Sequence, residues 1–105
     1  MDILVTGRQK AVGDTVARKL DLPDVTVHVA TDLQEVTTVL HDVTLSHVFI
    51  GPGLDTETRL EIVGAVLHHS ETACVHLKDT TRGPEGALDF IRGIVTGLRA
   101  EYHVR

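Results

Sequence analysis

The sequence predicts an α/β domain, a three-layer (βα)4 sandwich built on a four-stranded parallel sheet. Two observations carry the expectation. Four short β-branched runs alternate with four longer segments of helical periodicity. Each helical segment separates two strands, so the right-handed crossover rule makes those strands parallel and places helices on both faces. A length of 105 residues supplies one core and leaves nothing for a second, so residues 1–105 form a single domain.

Ile3-Leu4-Val5 opens the first strand, Val25–Val29 reads as the second, Val48-Phe49-Ile50 as the third and Ala73–Leu77 as the fourth. The first and third are almost purely apolar, as suits central strands covered on both faces. The second and fourth carry Thr26, His28 and His76 among their apolar residues, which suits sheet edges. Of the helices, the first, from Lys10 to Leu20, presents Val12, Val16 and Leu20 on one side. The second, from Asp32 to His41, presents Leu33, Val36, Val39 and Leu40, with Thr31 and Gln34 at capping-box spacing. The third, from Thr56 to Ser70, shows a stripe of Leu60, Val63 and Leu67 widened by Ile62 and Val66. The fourth starts at Pro84, a favoured first helical residue, and shows Leu88, Ile91, Val95, Leu98 and Tyr102. The expected strand order is 2-1-3-4, with the first and fourth helices on one face and the second and third on the other.

Composition narrows the function classes. Ten basic and fifteen acidic side chains give a net charge of −5, which disfavours nucleic acid as a partner because neutralising phosphates takes a basic surface. The longest stretch without Asp, Glu, Lys or Arg runs the 12 residues from Val43 to Leu54, short of the ~20 that a membrane span requires. The first residues, Met1-Asp2-Ile3-Leu4-Val5, lack the positive charge and the apolar length of a secretory signal, and a cytoplasmic location is expected. Cys74 stands alone, so no internal disulfide forms; it reads as a small buried hydrophobe.

Open parallel sheets bind ligands beyond the carboxyl ends of their strands, where the strand order reverses. Here that point lies between strands one and three, and the loops at it contain Thr6, Gly7 and Arg8 on one side and Gly51 and Gly53 on the other, with Lys78 and Arg82 following strand four. Glycines let backbone N–H groups approach a ligand, and the three basic residues supply positive charge, so a small phosphorylated ligand is the partner this crevice suits.

Several resemblances bear on this reading. Ile3-Leu4-Val5-Thr6-Gly7 resembles the first strand of dinucleotide-binding dehydrogenases, and Asp32 falls where those enzymes place a ribose-binding acid. Gly7 and Gly13 are six apart, however, so neither the G-x-G-x-x-G nor the P-loop spacing is present. The layout is similar to flavodoxin-like (Rossmann-like) domains, and to the receiver domains of phosphorelay signalling in particular. His76-Leu77-Lys78 resembles the receiver's last strand, whose lysine contacts a phosphoryl group. The departures are large: Gly7-Arg8 replaces the acidic pair after strand one, Gly51-Pro52-Gly53 replaces the phosphoacceptor aspartate, and four strand-helix units replace five. The implied protein is a degenerate receiver-like module without Mg²⁺-dependent phosphotransfer. The phosphotransferase-system IIB subunits are similar in size, but their reactive cysteine follows strand one, whereas Cys74 lies in strand four.

Seven histidines invite a metal reading, yet His68 and His69 are adjacent and diverge around their helix, and His28 and His76 fall on opposite edge strands. No metal and no cofactor is expected. Ser46 and Ser70 lack a nucleophile-elbow setting, and no acid, base and nucleophile are brought together, so the chain reads as non-enzymatic. The fourth helix adds Phe90 and Ile94 to its stripe, an apolar arc of roughly 160° bordered by Gly93 and Gly97. That width is expected to serve a homodimer or protein-partner interface through Phe90, Gly93, Ile94 and Gly97, which makes a protein-interaction or regulatory module the first functional expectation. A small anion- or nucleotide-binding domain is the second.

Overall fold

A computed structural model describes residues 1–79 and 86–104, and side chains as far as residue 97. The chain runs β1 (Asp2–Thr6), α1 (Lys10–Lys19), β2 (Thr26–Ala30), α2 (Leu33–Asp42), β3 (His47–Ile50), α3 (Thr56–His69), β4 (Cys74–Leu77) and α4 (Gly86–Val104). The sheet order is β2-β1-β3-β4 and every pairing is parallel. The (βα)4 sandwich and its strand order are those the alternation predicts.

Strand alternation divides the core into two layers. Leu4, Val48 and Ile50 point to one face and pack with Val36 of α2 and Ile62 and Val66 of α3. Ile3, Val5 and Phe49 point to the other and pack with Val16 and Leu20 beside α1 and with Ile91 and Val95 of α4. The central strands are buried on both faces, whereas β2 and β4 hold half-exposed residues, as their edge positions require. Asp2 and His28 join across the β1–β2 pairing at 3.0 Å and tie down that edge.

Three expectations are corrected. The helix-start box of α2 lies one residue further on: Asp32 is the N-cap and accepts from the Glu35 N–H at 2.8 Å, while the Glu35 carboxylate turns back to accept from the N–H and Oγ1–H of Thr31. This doubly donated carboxylate is held below the usual Glu pKa, chiefly by the Thr31 hydroxyl. In α3 the core face is centred on Ile62 and Val66, and Leu60 and Leu67 are 66% and 65% exposed. Both stripes have helical spacing, so periodicity alone did not choose between them. Cys74 is exposed at the start of β4, because an edge strand covers only part of its length. Pro84, the expected helix start, lies outside the described residues.

Gly13 sets the distance between α1 and the sheet. A β-carbon there would sit 3.1 Å from Val29 Cγ2 and nearer still to Cγ1, so α1 lies against β2 only because residue 13 has no side chain. Asp21, just past α1, has φ 51, the left-handed conformation that closes a helix and that glycine ordinarily supplies. Among the described residues no helix is long and apolar enough to cross a membrane.

Candidate functional site

The carboxyl ends of β1 and β3 open into a cavity of about 320 Å³. It lies on the α1 and α4 side of the sheet, at the point where the strand order reverses. Of the residues predicted to form a site, Thr6, Gly7, Arg8, Gly51, Gly53 and Lys78 all line it. Arg82 lies outside the described residues.

Each side of the cavity follows from local structure. β1 ends at Thr6, and the next turn, Gly7-Arg8-Gln9, leads directly into α1. Gln9 is extended and gives that helix no side-chain cap, and no acid stands in the first turn. The starts of α2 and α3 differ: Asp32 and Asp55 cap them, with Glu35 and Glu57 in the first turns. The positive end of α1 is therefore left without a carboxylate of its own, at the rim of the cavity. The Asp55 carboxylate, by contrast, takes the Thr58 N–H at 2.7 Å, and that bond holds its pKa below the usual Asp value.

On the β3 side the glycines do something other than admit a ligand. A β-carbon at Gly53 would lie 3.2 Å from Arg8 Cβ, and one at Gly51 would lie 3.4 Å from the Thr6 carbonyl. These residues let the β3 loop seat against the β1 loop. Of the glycines lining the cavity, Gly7 has open space where a β-carbon would project.

Lys78 is placed by the ladder itself. Its N–H donates to the Ile50 carbonyl at 2.9 Å, which continues the β3–β4 pairing one residue past Leu77. Its side chain turns in, leaving the residue only 9% exposed, with Nζ 3.1 Å from Asp79 Oδ1 and 5.7 Å from the centre of the Phe90 ring. Thr6 is 1% exposed, and its Oγ1 is buried without a hydrogen-bond partner among the described residues.

The four residues expected at an interface divide. Phe90 and Ile94 pack against the domain's own core, Phe90 meeting Phe49 edge to face at 6.2 Å and also lining the cavity. Gly93 and Gly97 are exposed, with open space beside both.

One relationship escaped the sequence. His47 and His76 meet on the α4 face of the sheet, Nδ1 to Nε2 at 3.0 Å, and His76 stacks on Phe49 at 4.9 Å. The signal was available only through register. His47 pairs with Cys74 and Phe49 with His76, so the three rings share one face once β3 is extended back by a residue. Burial pushes both histidine pKa values down, and for His47 the nearby His76 adds to the effect. Among the described residues no three His, Cys, Asp or Glu side chains are grouped to hold a metal ion.

No protein-family model matches the chain, and neither a curated protein nor a solved structure matches it significantly.

Proposed function

We propose that this domain is a non-catalytic module that binds a small anion at the ends of β1 and β3. The observation that carries the reading is a charge contrast. The chain has 15 acidic and 10 basic residues, yet the cavity lining includes Arg8 and Lys78 and, among the described residues, no Asp or Glu. The uncapped start of α1 adds partial positive charge at the same rim. Lys78 is enclosed and pairs with the exposed Asp79 carboxylate at 3.1 Å, so an anion would exchange for that carboxylate at an ammonium screened less than that of a surface lysine.

Among the described residues the lining offers cations and backbone donors, and the nearby Asp79 carboxylate is engaged by Lys78, which fits recognition rather than turnover. A regulatory role follows naturally for such a module, in which occupancy is the signal. The likeness to receiver domains rests on layout and on Lys78. Homodimerisation through α4 has the weaker support, because Phe90 and Ile94 already pack inside the domain. We place the domain in the cytoplasm, where an exposed lone thiol such as Cys74 stays reduced.

The test is thermal unfolding of the full chain with increasing inorganic phosphate or pyrophosphate. A ligand at a hundred times its Kd stabilises the native state by about 2.7 kcal/mol, a shift of roughly ten degrees for a domain of this size. The shift should be saturable and should be lost in Lys78→Met, which keeps the stem and removes the charge. An unchanged melting temperature with either anion would overturn the reading.

A further inference from the structure

We propose that the ligand is an amphipathic acid: one oxyanion head, phosphomonoester or carboxylate, on a hydrocarbon body without hydroxyl groups. The inference rests on the anion-binding reading above and goes beyond it by naming what the anion is attached to. The cavity has two chemically different halves. Among the described residues its polar side chains, Thr6, Arg8, Gln9 and Lys78, all belong to strand ends or to the turn before α1. The remainder, between α1 and α4, is walled by Val12, Val29, Phe49, Ala87, Phe90 and Ile91, none of which has a side-chain donor or acceptor.

A bare anion would occupy the first half and leave the second in contact with water. A sugar phosphate or nucleotide would bring hydroxyls and ring nitrogens against a wall that cannot pair with them, and unpaired buried polar groups are costly. An aryl or alkyl body meets neither objection, since its burial is favourable in proportion to its apolar area. Size agrees. A volume of about 320 Å³ stands at the small end of ligand pockets, which run from roughly 300 to 1,000 Å³, and suits a one-ring acid better than a dinucleotide. Phe90 joins the halves, with its ring in the apolar wall and Lys78 Nζ 5.7 Å from its centre.

The experiment is calorimetric titration of the full chain with phenyl phosphate, benzoate, inorganic phosphate, acetate and ribose 5-phosphate. The expected result is that phenyl phosphate or benzoate binds about tenfold or more tighter than its bare counterpart, phosphate or acetate, through the apolar area the ring buries. Ribose 5-phosphate should gain nothing over phosphate. Phe90→Leu should shrink the advantage of the ring. Val12→Asn, at a half-exposed position on α1, should shrink it too without disturbing the buried core, and circular dichroism checks that both variants fold. Phosphate binding with no gain from a phenyl group, or with ribose 5-phosphate tightest, would overturn this inference and leave the anion site standing. No binding by any of the five would overturn both.

Discussion

His47 and His76 share a single hydrogen bond across the β3–β4 pairing, Nδ1 to Nε2 at 3.0 Å, so one imidazole must donate and the other accept. Only neutral rings, or one neutral ring and one charged, can keep that contact. Two imidazolium rings would present donors to each other.

A pH dependence follows. Burial holds both histidines below their ordinary pKa, and for His47 the neighbouring His76 deepens the effect. The unfolded chain takes up protons near pH 6.5, before the folded one does, so this contribution to stability is complete above about pH 6.5 and is lost as pH falls through the lowered folded values. Urea unfolding across a pH series should show the midpoint falling on the acid side, and His76→Phe, which keeps a ring on Phe49, should flatten the slope. A midpoint constant from about pH 7.5 to 5 would contradict the assignment.

Gly13 and Gly64 should respond to alanine with opposite signs. Inside an exposed helix, Gly→Ala gains up to about 1 kcal/mol, and Gly64 has nothing near the added carbon. At Gly13 the same carbon strikes Val29, and overpacking of this kind costs about 1–3 kcal/mol. Denaturant midpoints of Gly13→Ala and Gly64→Ala test the contrast, and Val29→Ala should relieve the first. Equal effects at the two positions would mean that α1 does not touch β2 as described.

Asp21 is exposed and holds a left-handed backbone at the end of α1. Asp21→Gly removes the β-carbon penalty of that conformation and should raise stability by about 1 kcal/mol, or several degrees in melting temperature. Asp21→Val should lower it. Differential scanning calorimetry of the pair reads both signs.

Cys74 should react with a thiol reagent in the folded protein, one equivalent per chain, at a rate that denaturant barely changes. The exposure of the side chain is the basis. Protection until unfolding would restore the buried reading drawn from the sequence.

The parts of the fold that were legible were those fixed by local pattern. Ile3-Leu4-Val5 and Val48-Phe49-Ile50 are apolar without alternation, which only doubly covered strands tolerate, and this located the centre of the sheet. Once the order was set, the switch point gathered Thr6, Gly7, Arg8, Gly51, Gly53 and Lys78 at one cavity. What escaped depends on contacts between elements. The two stripes of α3 are equivalent until α2 and the sheet select one. Whether Gly13 is a fingerprint residue or a spacer depends on Val29, sixteen positions away. The histidine pair depends on strand register, which no single strand encodes. Thr31, Asp32, Gln34 and Glu35 offer two overlapping boxes at the start of α2, and only the structure shows the carboxylate of Asp32 to be the one that closes.

Phe49 touches His76 on one side and Phe90 on the other, so a run of rings extends from the histidine pair to the cavity wall. The chain has no tryptophan, and fluorescence offers little purchase on it. The ring protons of His76 and Phe49 instead form a natural gauge in nuclear magnetic resonance. A guest displacing Phe90 would alter the ring-current shifts of these neighbours, and occupancy could be followed without attaching a label.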